Sequence, residues 1–303
     1  MSYIIELLRA AIYGIVQGVT EWLPVSSTGH MILLNSLLKS EALKNADFFN
    51  LFLVVIQLGS IFAVIVLYFN KLFPLPIPKF RKKRFSTNFN KASTVGSLNK
   101  KRLSDAFKLW QKIFVGIIPV GIVGFIFDDI VEKYFYNNCV IAAALIIYGI
   151  AFILVEKRNR SAEYKFRVNS PDNITFKDSL MIGAFQALAI IPGTSRSGST
   201  ILGAMLIGVS RPATAEFSFF LAVPVMFGAS TLKLVKYILY GQLTFSSLEI
   251  SVLLSGCISA FIVSLITIRF LIEFVKKHSL TVFGIYRIIL GIAVIAFSLI
   301  FGT

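Results

Sequence analysis

The sequence predicts an all-α, polytopic integral membrane protein with six transmembrane helices and two re-entrant helical hairpins arranged as an inverted repeat. Composition is the first reason: 56% of the 303 residues are hydrophobic and only 15% are charged, whereas soluble domains carry about 25% charged residues. The mean hydropathy is +0.79. The second reason is a set of long uncharged stretches, and the third is a pair of apolar stretches that each break at a polar tip.

Six stretches are apolar enough, and mostly long enough, to be transmembrane helices, for which about 17–25 residues are needed. They cover residues 48–69, 113–127, 139–155, 217–232, 250–268 and 282–301. The stretch 113–127 is short and contains Pro119, so the pattern does not fix its ends. Arg287 interrupts the last stretch, and either a buried partner or snorkelling to the interface accounts for such a residue.

Two further regions do not fit as spans. Residues 3–38 break at EWLPVSSTGH, and residues 180–209 break at PGTSRSGST. Arms of about 10–15 residues are too short to cross a hydrocarbon core about 30 Å thick. Irregular backbone at membrane depth is tolerated only where protein or a watery cavity satisfies it. We therefore expect two re-entrant hairpins whose tips are buried in the protein.

The two hairpins resemble each other. Gln17, Pro24, Ser26, Ser27 and Gly29 are echoed, with small offsets, by Gln186, Pro192, Thr194, Ser195 and Gly198. Each hairpin precedes three spans, and this odd number makes the hairpins enter from opposite sides, with a site near the midplane. We expect one membrane domain over residues 1–303. Repeat one would be 1–155, with hairpin 3–38 and a basic loop 71–112, and repeat two would be 179–303, with hairpin 180–209.

The net charge of +15 is concentrated rather than spread over a soluble face, so it does not indicate a nucleic-acid partner. Twelve of the 30 Lys and Arg residues lie in 71–112, which predicts a solvated cytoplasmic loop. Counting spans then places 156–178 in the cytoplasm and both termini outside, although Lys233 and Lys236 fall on the wrong side. The two cysteines lie in apolar segments and indicate neither a disulfide framework nor a metal site.

The tip PGTSRSGST has the composition of an anion site. Glycine lets a backbone approach a ligand closely, and a helix that starts near Ser197 would direct its positive end at the tip. Arg196 supplies a planar fork that matches a phosphate in two places. The alternative is a capped surface turn with a snorkelling arginine. The candidate binding residues are Thr194, Ser195, Ser197, Gly198 and Thr200.

The tip QGVTEWLPVSSTGH has the composition of a catalytic site. Gln17 and Glu21 are four residues apart and share one helix face, and Ser26, Ser27, Thr28 and His30 follow closely. The alternative makes Glu21 an ordinary buried polar residue and Ser26 a helix cap. Together, the two tips offer an arginine that can bind the phosphate charge, a nucleophile and a proton carrier. These are the groups needed to hydrolyse a phosphate ester or anhydride.

These two tips resemble the signature motifs of the bacterial undecaprenyl-diphosphate phosphatase family associated with bacitracin resistance (BacA/UppP). The resemblance covers the whole chain in length, span order and hairpin placement. It implies an enzyme of the bacterial cytoplasmic membrane that removes the terminal phosphate of undecaprenyl diphosphate and recycles the lipid carrier for peptidoglycan. Its site would open to the outer face, and a homo-oligomer is left open.

The resemblance also implies roles for individual residues. Ser27, Glu21, His30 and Arg196 would be catalytic, and Gln17, Ser26 and Thr28 would bind substrate beside the second-tip residues. A divalent cation, Mg²⁺ or Ca²⁺, is expected with Glu21 as its ligand. However, Gln17 stands where the family pattern allows a second carboxylate, which weakens a two-carboxylate metal site.

Two other functions would use some of the same groups. A type 2 phosphatidate phosphatase would need a histidine soon after its arginine, and none follows Arg196 before His278. A transporter or lipid flippase also uses inverted repeats and broken helices but needs no nucleophile. The attacking group stays open between Ser27, His30 and water, with Glu21 or His30 as the base.

Overall fold

A computed structural model describes residues 2–74, 92–160, 165–240 and 245–301, which are almost entirely helical. In chain order the helices are α1 (Ser2–Thr20), α2 (Ser27–Leu38), α3 (Ala46–Leu67), α4 (Phe69–Leu72), α5 (Ala92–Phe135), α6 (Asn138–Asn159), α7 (Phe176–Ala187), α8 (Arg196–Leu206), α9 (Arg211–Tyr240), α10 (Ser247–Lys277) and α11 (Thr281–Phe301). Two single-turn 3₁₀ helices, Pro171–Asn173 and Leu188–Ile190, precede and follow α7.

Within the described residues, seven helices are long and apolar enough to cross a membrane. Six of them, α3, α5, α6, α9, α10 and α11, contain most or all of the six predicted spans. The seventh is α1, the first arm of the first hairpin. Its 19 residues exceed the arm length that we expected, and correspond to about 28 Å at 1.5 Å per residue. The expectation of a short arm was therefore wrong for α1.

The other hairpin arms are short, with 12 residues in α2, 12 in α7 and 11 in α8. Each hairpin turns at a serine that precedes its second helix, and both serines have positive φ, 76° at Ser26 and 69° at Ser195. A positive φ is uncommon outside glycine. The expected helix start near Ser197 lies within one residue of the observed start of α8 at Arg196.

The shared backbone conformation fixes the register between the hairpins. Ser26 corresponds to Ser195, and the same spacing pairs Gln17 with Gln186. The sequence comparison had paired Ser27 with Ser195, which is off by one residue. In the structural register, Ser27 corresponds instead to Arg196, so each second arm begins with one of these two residues.

Close glycine contacts seat the first arm of each hairpin on a long helix. A Cβ on Gly14 of α1 would lie 2.2 Å from the Gly256 carbonyl oxygen of α10, and one on Gly183 of α7 would lie 1.9 Å from that of Gly116 in α5. Small residues allow membrane helices to approach this closely. The two glycine pairs therefore place α1 on α10 and α7 on α5 in matching ways.

Each hairpin is also tied at its base. Glu6 of α1 accepts hydrogen bonds from the Ser40 hydroxyl and the Ala42 N–H, just beyond α2. Asp178 of α7 pairs with Arg167, whose backbone N–H donates to the Gly208 carbonyl beyond α8. These contacts join the start of the first arm to the end of the second, and so they close the base of each hairpin.

The predicted basic loop is only partly a loop. Residues 75–91 lie outside the described residues, but residues 92–112 form the start of α5, and Phe69–Leu72 form α4. The loop prediction over 92–112 was therefore wrong. The high density of Lys and Arg had suggested a solvated coil, but these residues also have good helix propensity. The 44 residues of α5 give it a length of about 66 Å, more than a bilayer core requires.

Candidate active site

The two hairpin tips meet and enclose a cavity of about 180 Å³. The first tip contributes Glu21, Ser27 and Thr28, and the second contributes the run from Ala189 to Gly193 together with Ser195 and Arg196. The N-terminal ends of α2 and α8 both border this cavity, so their positive dipole ends lie beside it. An anion is the kind of ligand that such an arrangement favours.

The Glu21 carboxylate connects the two tips. Its Oε2 accepts hydrogen bonds from Gln17 Nε2 at 3.0 Å and from Ser27 Oγ at 3.2 Å. Its Oε1 lies 3.2 Å from Arg196 Nη2 of the second tip. Gln17 lies on α1, one helical turn before Glu21, which directly follows the end of α1, as the spacing predicted. A single carboxylate therefore touches both the candidate nucleophile and the candidate phosphate-binding arginine.

Arg196 is almost buried and is held from three sides. Its Nη1 donates to the carbonyl oxygen of Ser218 on α9 at 3.0 Å, and its guanidinium lies 5.4 Å from the centre of the Trp22 ring. Its Nε is buried and has no hydrogen-bond partner within the described part of the chain. A buried donor without a partner costs roughly 1–3 kcal/mol, so this N–H is suited to a ligand oxygen.

Ser27 is the first residue of α2, where backbone N–H groups are available as hydrogen-bond donors. The first N–H groups of a helix have no intrahelical partner. Ser26, at the capping position, makes no side-chain cap bond, and its buried hydroxyl has no hydrogen-bond partner among the described residues. The expected cap at Ser26 therefore exists in the backbone but not in the side chain, which leaves the start of α2 open to an anion.

The second tip uses most of its hydroxyls for structure. Ser195 caps α8 by accepting from Gly198 N–H at 3.2 Å, and Ser197 Oγ lies 3.1 Å from the Glu21 carbonyl oxygen. Thr200 donates back to the Arg196 carbonyl at 2.7 Å, whereas the buried Thr194 hydroxyl has no partner within the described ranges. Of the five predicted binding residues in this tip, only Ser195 lines the cavity.

Both ring nitrogens of His30 are hydrogen-bonded to residues other than Ser27. Its Nδ1 is 2.7 Å from the Ser26 carbonyl oxygen, so Nδ1 carries the proton, and its Nε2 is 2.6 Å from the Tyr286 hydroxyl of α11. The two rings stack with an interplanar angle of 6°. Both ring nitrogens are thus occupied. Ser27 and His30 both lie in the first turn of α2, but of the two candidate bases it is Glu21 that is hydrogen-bonded to Ser27.

Sequence reasoning missed several residues of the site, the apolar run from Ala189 to Ile191 among them. Gln57 of α3 and Tyr136, between α5 and α6, line the cavity. An amide in the uncharged stretch 48–69 was a usable signal for Gln57, whereas Tyr136 gave none. The sequence showed Arg287 as an interruption of the last span but did not indicate its position in the site. It donates to backbone carbonyls of both tips.

The side chains that line the cavity do not supply enough metal ligands to hold a cation by themselves. Glu21 is the only carboxylate on its described lining, and both of its oxygens already accept hydrogen bonds. No cluster of three or more His, Cys, Asp or Glu residues suited to a metal occurs in the described ranges. Mg²⁺ and Ca²⁺ need several oxygen ligands, so water or substrate oxygens would have to supply most of them.

Comparison with known proteins points to one family. The family described as "Bacitracin resistance protein BacA" matches residues 10–293. The undecaprenyl-diphosphatase of Enterococcus faecalis is 48% identical over 294 residues, covering 97% of this chain and 98% of the relative. A protein of the same name from Lachnoclostridium phytofermentans is 49% identical over 296 residues, 98% of each chain. Undecaprenyl-diphosphatase 1 of Clostridioides difficile is 46% identical over 294 residues, 97% of each.

Proposed function

The chain belongs to the bacitracin resistance protein BacA family, and we propose that it is an undecaprenyl-diphosphatase. It hydrolyses undecaprenyl diphosphate to undecaprenyl phosphate and inorganic phosphate. This reaction recycles the lipid carrier for peptidoglycan synthesis and confers resistance to bacitracin. The observation that carries the proposal is the Glu21 carboxylate, which touches the Ser27 hydroxyl and the Arg196 guanidinium across the two tips.

The cavity binds the diphosphate head while the polyprenyl tail stays in the lipid. The open start of α2 and the free Nε of Arg196 provide donors for phosphate oxygens. The apolar run from Ala189 to Ile191 lines the same cavity and suits the first atoms of the tail. All of these residues come from one chain, so the chemistry needs no second copy.

Ser27 is the nucleophile in this proposal. Its Oγ attacks the terminal phosphorus, its proton passes to Glu21, and the bond between that phosphorus and the bridging oxygen breaks. Undecaprenyl phosphate leaves, and phosphoserine remains. Glu21 passes this proton to the departing undecaprenyl phosphate and becomes a carboxylate again. Water then attacks the phosphoserine and the bond between phosphorus and Ser27 Oγ breaks; one hydrogen of the water returns through Glu21 to the Ser27 hydroxyl, and the other stays on the released phosphate. Arg196 stabilises the charge that develops on the transferred group.

The contacts of Glu21 and His30 support Glu21 as the base. Glu21 Oε2 is 3.2 Å from Ser27 Oγ, within reach for a proton transfer in the bound state, where such contacts tighten. His30 is engaged by Ser26 and Tyr286 instead. We therefore assign the base to Glu21, and His30 holds the start of α2 against α11. Direct attack by water on the diphosphate is the remaining alternative.

A divalent cation has only a secondary place in this mechanism. The one cavity carboxylate, Glu21, is already shared between its hydrogen-bond donors, so no step here uses a metal. If Mg²⁺ or Ca²⁺ took part, phosphate oxygens of the substrate would supply most of its ligands, and Glu21 would be the protein ligand, as the sequence suggested.

We place the protein in the bacterial cytoplasmic membrane with the cavity open to the outer face. The basic start of α5 is expected in the cytoplasm, and Tyr136 follows the opposite end of the same helix. Because Tyr136 lines the cavity, the cavity lies toward the end of α5 that is away from the basic residues. This arrangement favours access from outside.

Phosphate release from detergent-solubilised protein tests the proposed function. Purified protein with undecaprenyl diphosphate should release phosphate, and Ser27→Ala should release none above background. A flippase moves lipid only across a sealed bilayer, so turnover in detergent separates the two functions. A folded wild-type protein that binds the substrate without releasing phosphate would refute the hydrolase.

A further inference from the structure

Arg287 lies in the first third of α11 and is fully buried. Its Nη1 donates to the Pro24 carbonyl oxygen at 3.3 Å, and its Nη2 donates to those of Gly193 at 3.0 Å and Thr194 at 2.9 Å. Pro24 precedes the capping serine of α2 by two residues, and Gly193 precedes that of α8 by the same number. One guanidinium therefore joins equivalent carbonyls of the two tips.

The surroundings of Arg287 indicate that it serves these carbonyls rather than a charged partner. Among the described residues it forms no ion pair with a carboxylate, and its guanidinium carbon lies 5.5 Å from the centre of the Tyr148 ring. A buried arginine inside a membrane protein is costly and is usually retained for function. A Cβ on Gly198 would lie only 3.0 Å from Arg287 Nη1, so Arg287 is packed directly against the first turn of α8.

We propose that Arg287 is a positioning residue that sets the distance between Ser27 and Arg196. Ser27 begins α2 three residues after Pro24, and Arg196 begins α8 three residues after Gly193. Holding both carbonyls on one rigid, planar group fixes both helix starts relative to each other. A lysine has a single ammonium group and cannot span the two tips in this way.

The first experiment measures turnover and rests on the proposed function. Arg287→Lys keeps the charge and Arg287→Gln keeps an N–H donor, but neither retains the fork. We expect both to lower kcat by about 10²-fold, the effect of misplacing reacting groups by about 1 Å, with KM within about threefold of wild type. Val294→Ala, at another buried position of α11, is the matched control and should keep kcat within about threefold.

The second experiment needs no substrate. Trp22 lies in the first tip against Phe219 and beneath Arg196 of the second tip, so its fluorescence reports the fit between the tips. In a Trp110→Phe background, Trp22 is the only tryptophan. Arg287→Lys should shift its emission to longer wavelength and increase quenching by acrylamide, whereas Val294→Ala should do neither.

The two experiments separate failure of this inference from failure of the proposed function. If the wild-type protein hydrolyses no undecaprenyl diphosphate, the proposed hydrolase function is wrong, and the Trp22 measurement still tests the positioning role of Arg287. The positioning role of Arg287 is refuted by an Arg287→Lys variant with wild-type kcat or with unchanged Trp22 emission and quenching. It is also refuted if Val294→Ala, at equal loss of thermal stability, lowers kcat as much as Arg287→Lys does.

Discussion

Replacement of Arg196 by lysine tests the link between the two tips most directly. The substitution retains a positive charge beside Glu21 but removes the planar fork. In the structure, Nη1 donates to the Ser218 carbonyl, Nη2 donates to Glu21, and the buried Nε has no hydrogen-bond partner among the described residues. One ammonium group cannot keep both anchors and also donate in the direction of Nε.

The expected loss follows from this count of donors. Removing one preorganised donor from a transition state costs about 2.7–4 kcal/mol, or about 10²–10³-fold in kcat. Fold stability should change less, because lysine still compensates Glu21. Arg196→Ala is a poorer test, since breaking a buried ion pair from one side costs about 3–5 kcal/mol and threatens the fold.

The assay is phosphate release under saturating undecaprenyl diphosphate, with thermal unfolding measured in the same detergent. Ser218→Ala is the matched control: it removes a hydroxyl 3.3 Å from Arg196 Nη1 but keeps the carbonyl anchor. We expect this variant to lose less than about tenfold. Arg196→Lys with a kcat within about threefold of wild type would show that charge alone suffices, and the assignment of a fork to the phosphate would be wrong.

Four further outcomes are expected. Rapid quenching with terminally labelled substrate should give an acid-stable phosphoprotein that is absent in Ser27→Ala; an acid-labile adduct surviving in that variant would exclude serine as the nucleophile. A cysteine at the exposed position Leu103, in a background without native cysteines, should resist an impermeant thiol reagent in whole cells and react after lysis; labelling in intact cells would invert the topology. Gly193→Ala should lower the thermal midpoint and activity, because φ is +89° and the new Cβ would lie 2.5 Å from a carbonyl oxygen of α6, whereas Gly121→Ala, in open space, should be nearly neutral. Calorimetry without substrate should show only weak binding of Mg²⁺ or Ca²⁺, with a Kd of about 10⁻⁴ M or higher, because Glu21 is the single cavity carboxylate; tight stoichiometric binding would contradict this view.

The helices themselves followed from the sequence. Runs of apolar residues long enough for a bilayer have few alternatives, because an unsatisfied backbone in hydrocarbon is so costly. The six predicted spans are helical, and both polar tips are turns before short helices. Length and local composition decide these features, so no knowledge of packing was needed. The two motifs were also sufficient to indicate the family.

Element ends were less predictable. The helix α5 continues through basic residues that composition assigned to a loop, and α1 is longer than its hairpin arm was expected to be. Charge density reports exposure to water, and an exposed segment can be a helix or a coil. The register between the hairpins was also off by one residue until the positive φ at Ser26 and Ser195 showed which positions correspond.

Contacts within the site were decided only by the tertiary structure. Local spacing offered both Glu21 and His30 as partners for Ser27, and the packing of α11 beside α2 engages His30 with Tyr286, while Glu21 contacts Ser27. Arg287 reaches Pro24 across 263 positions of sequence. Helical periodicity places residues on a face, but which face meets which helix depends on how all the helices pack. The sequence by itself therefore determined the elements and the chemical groups, and the packing determined which groups touch.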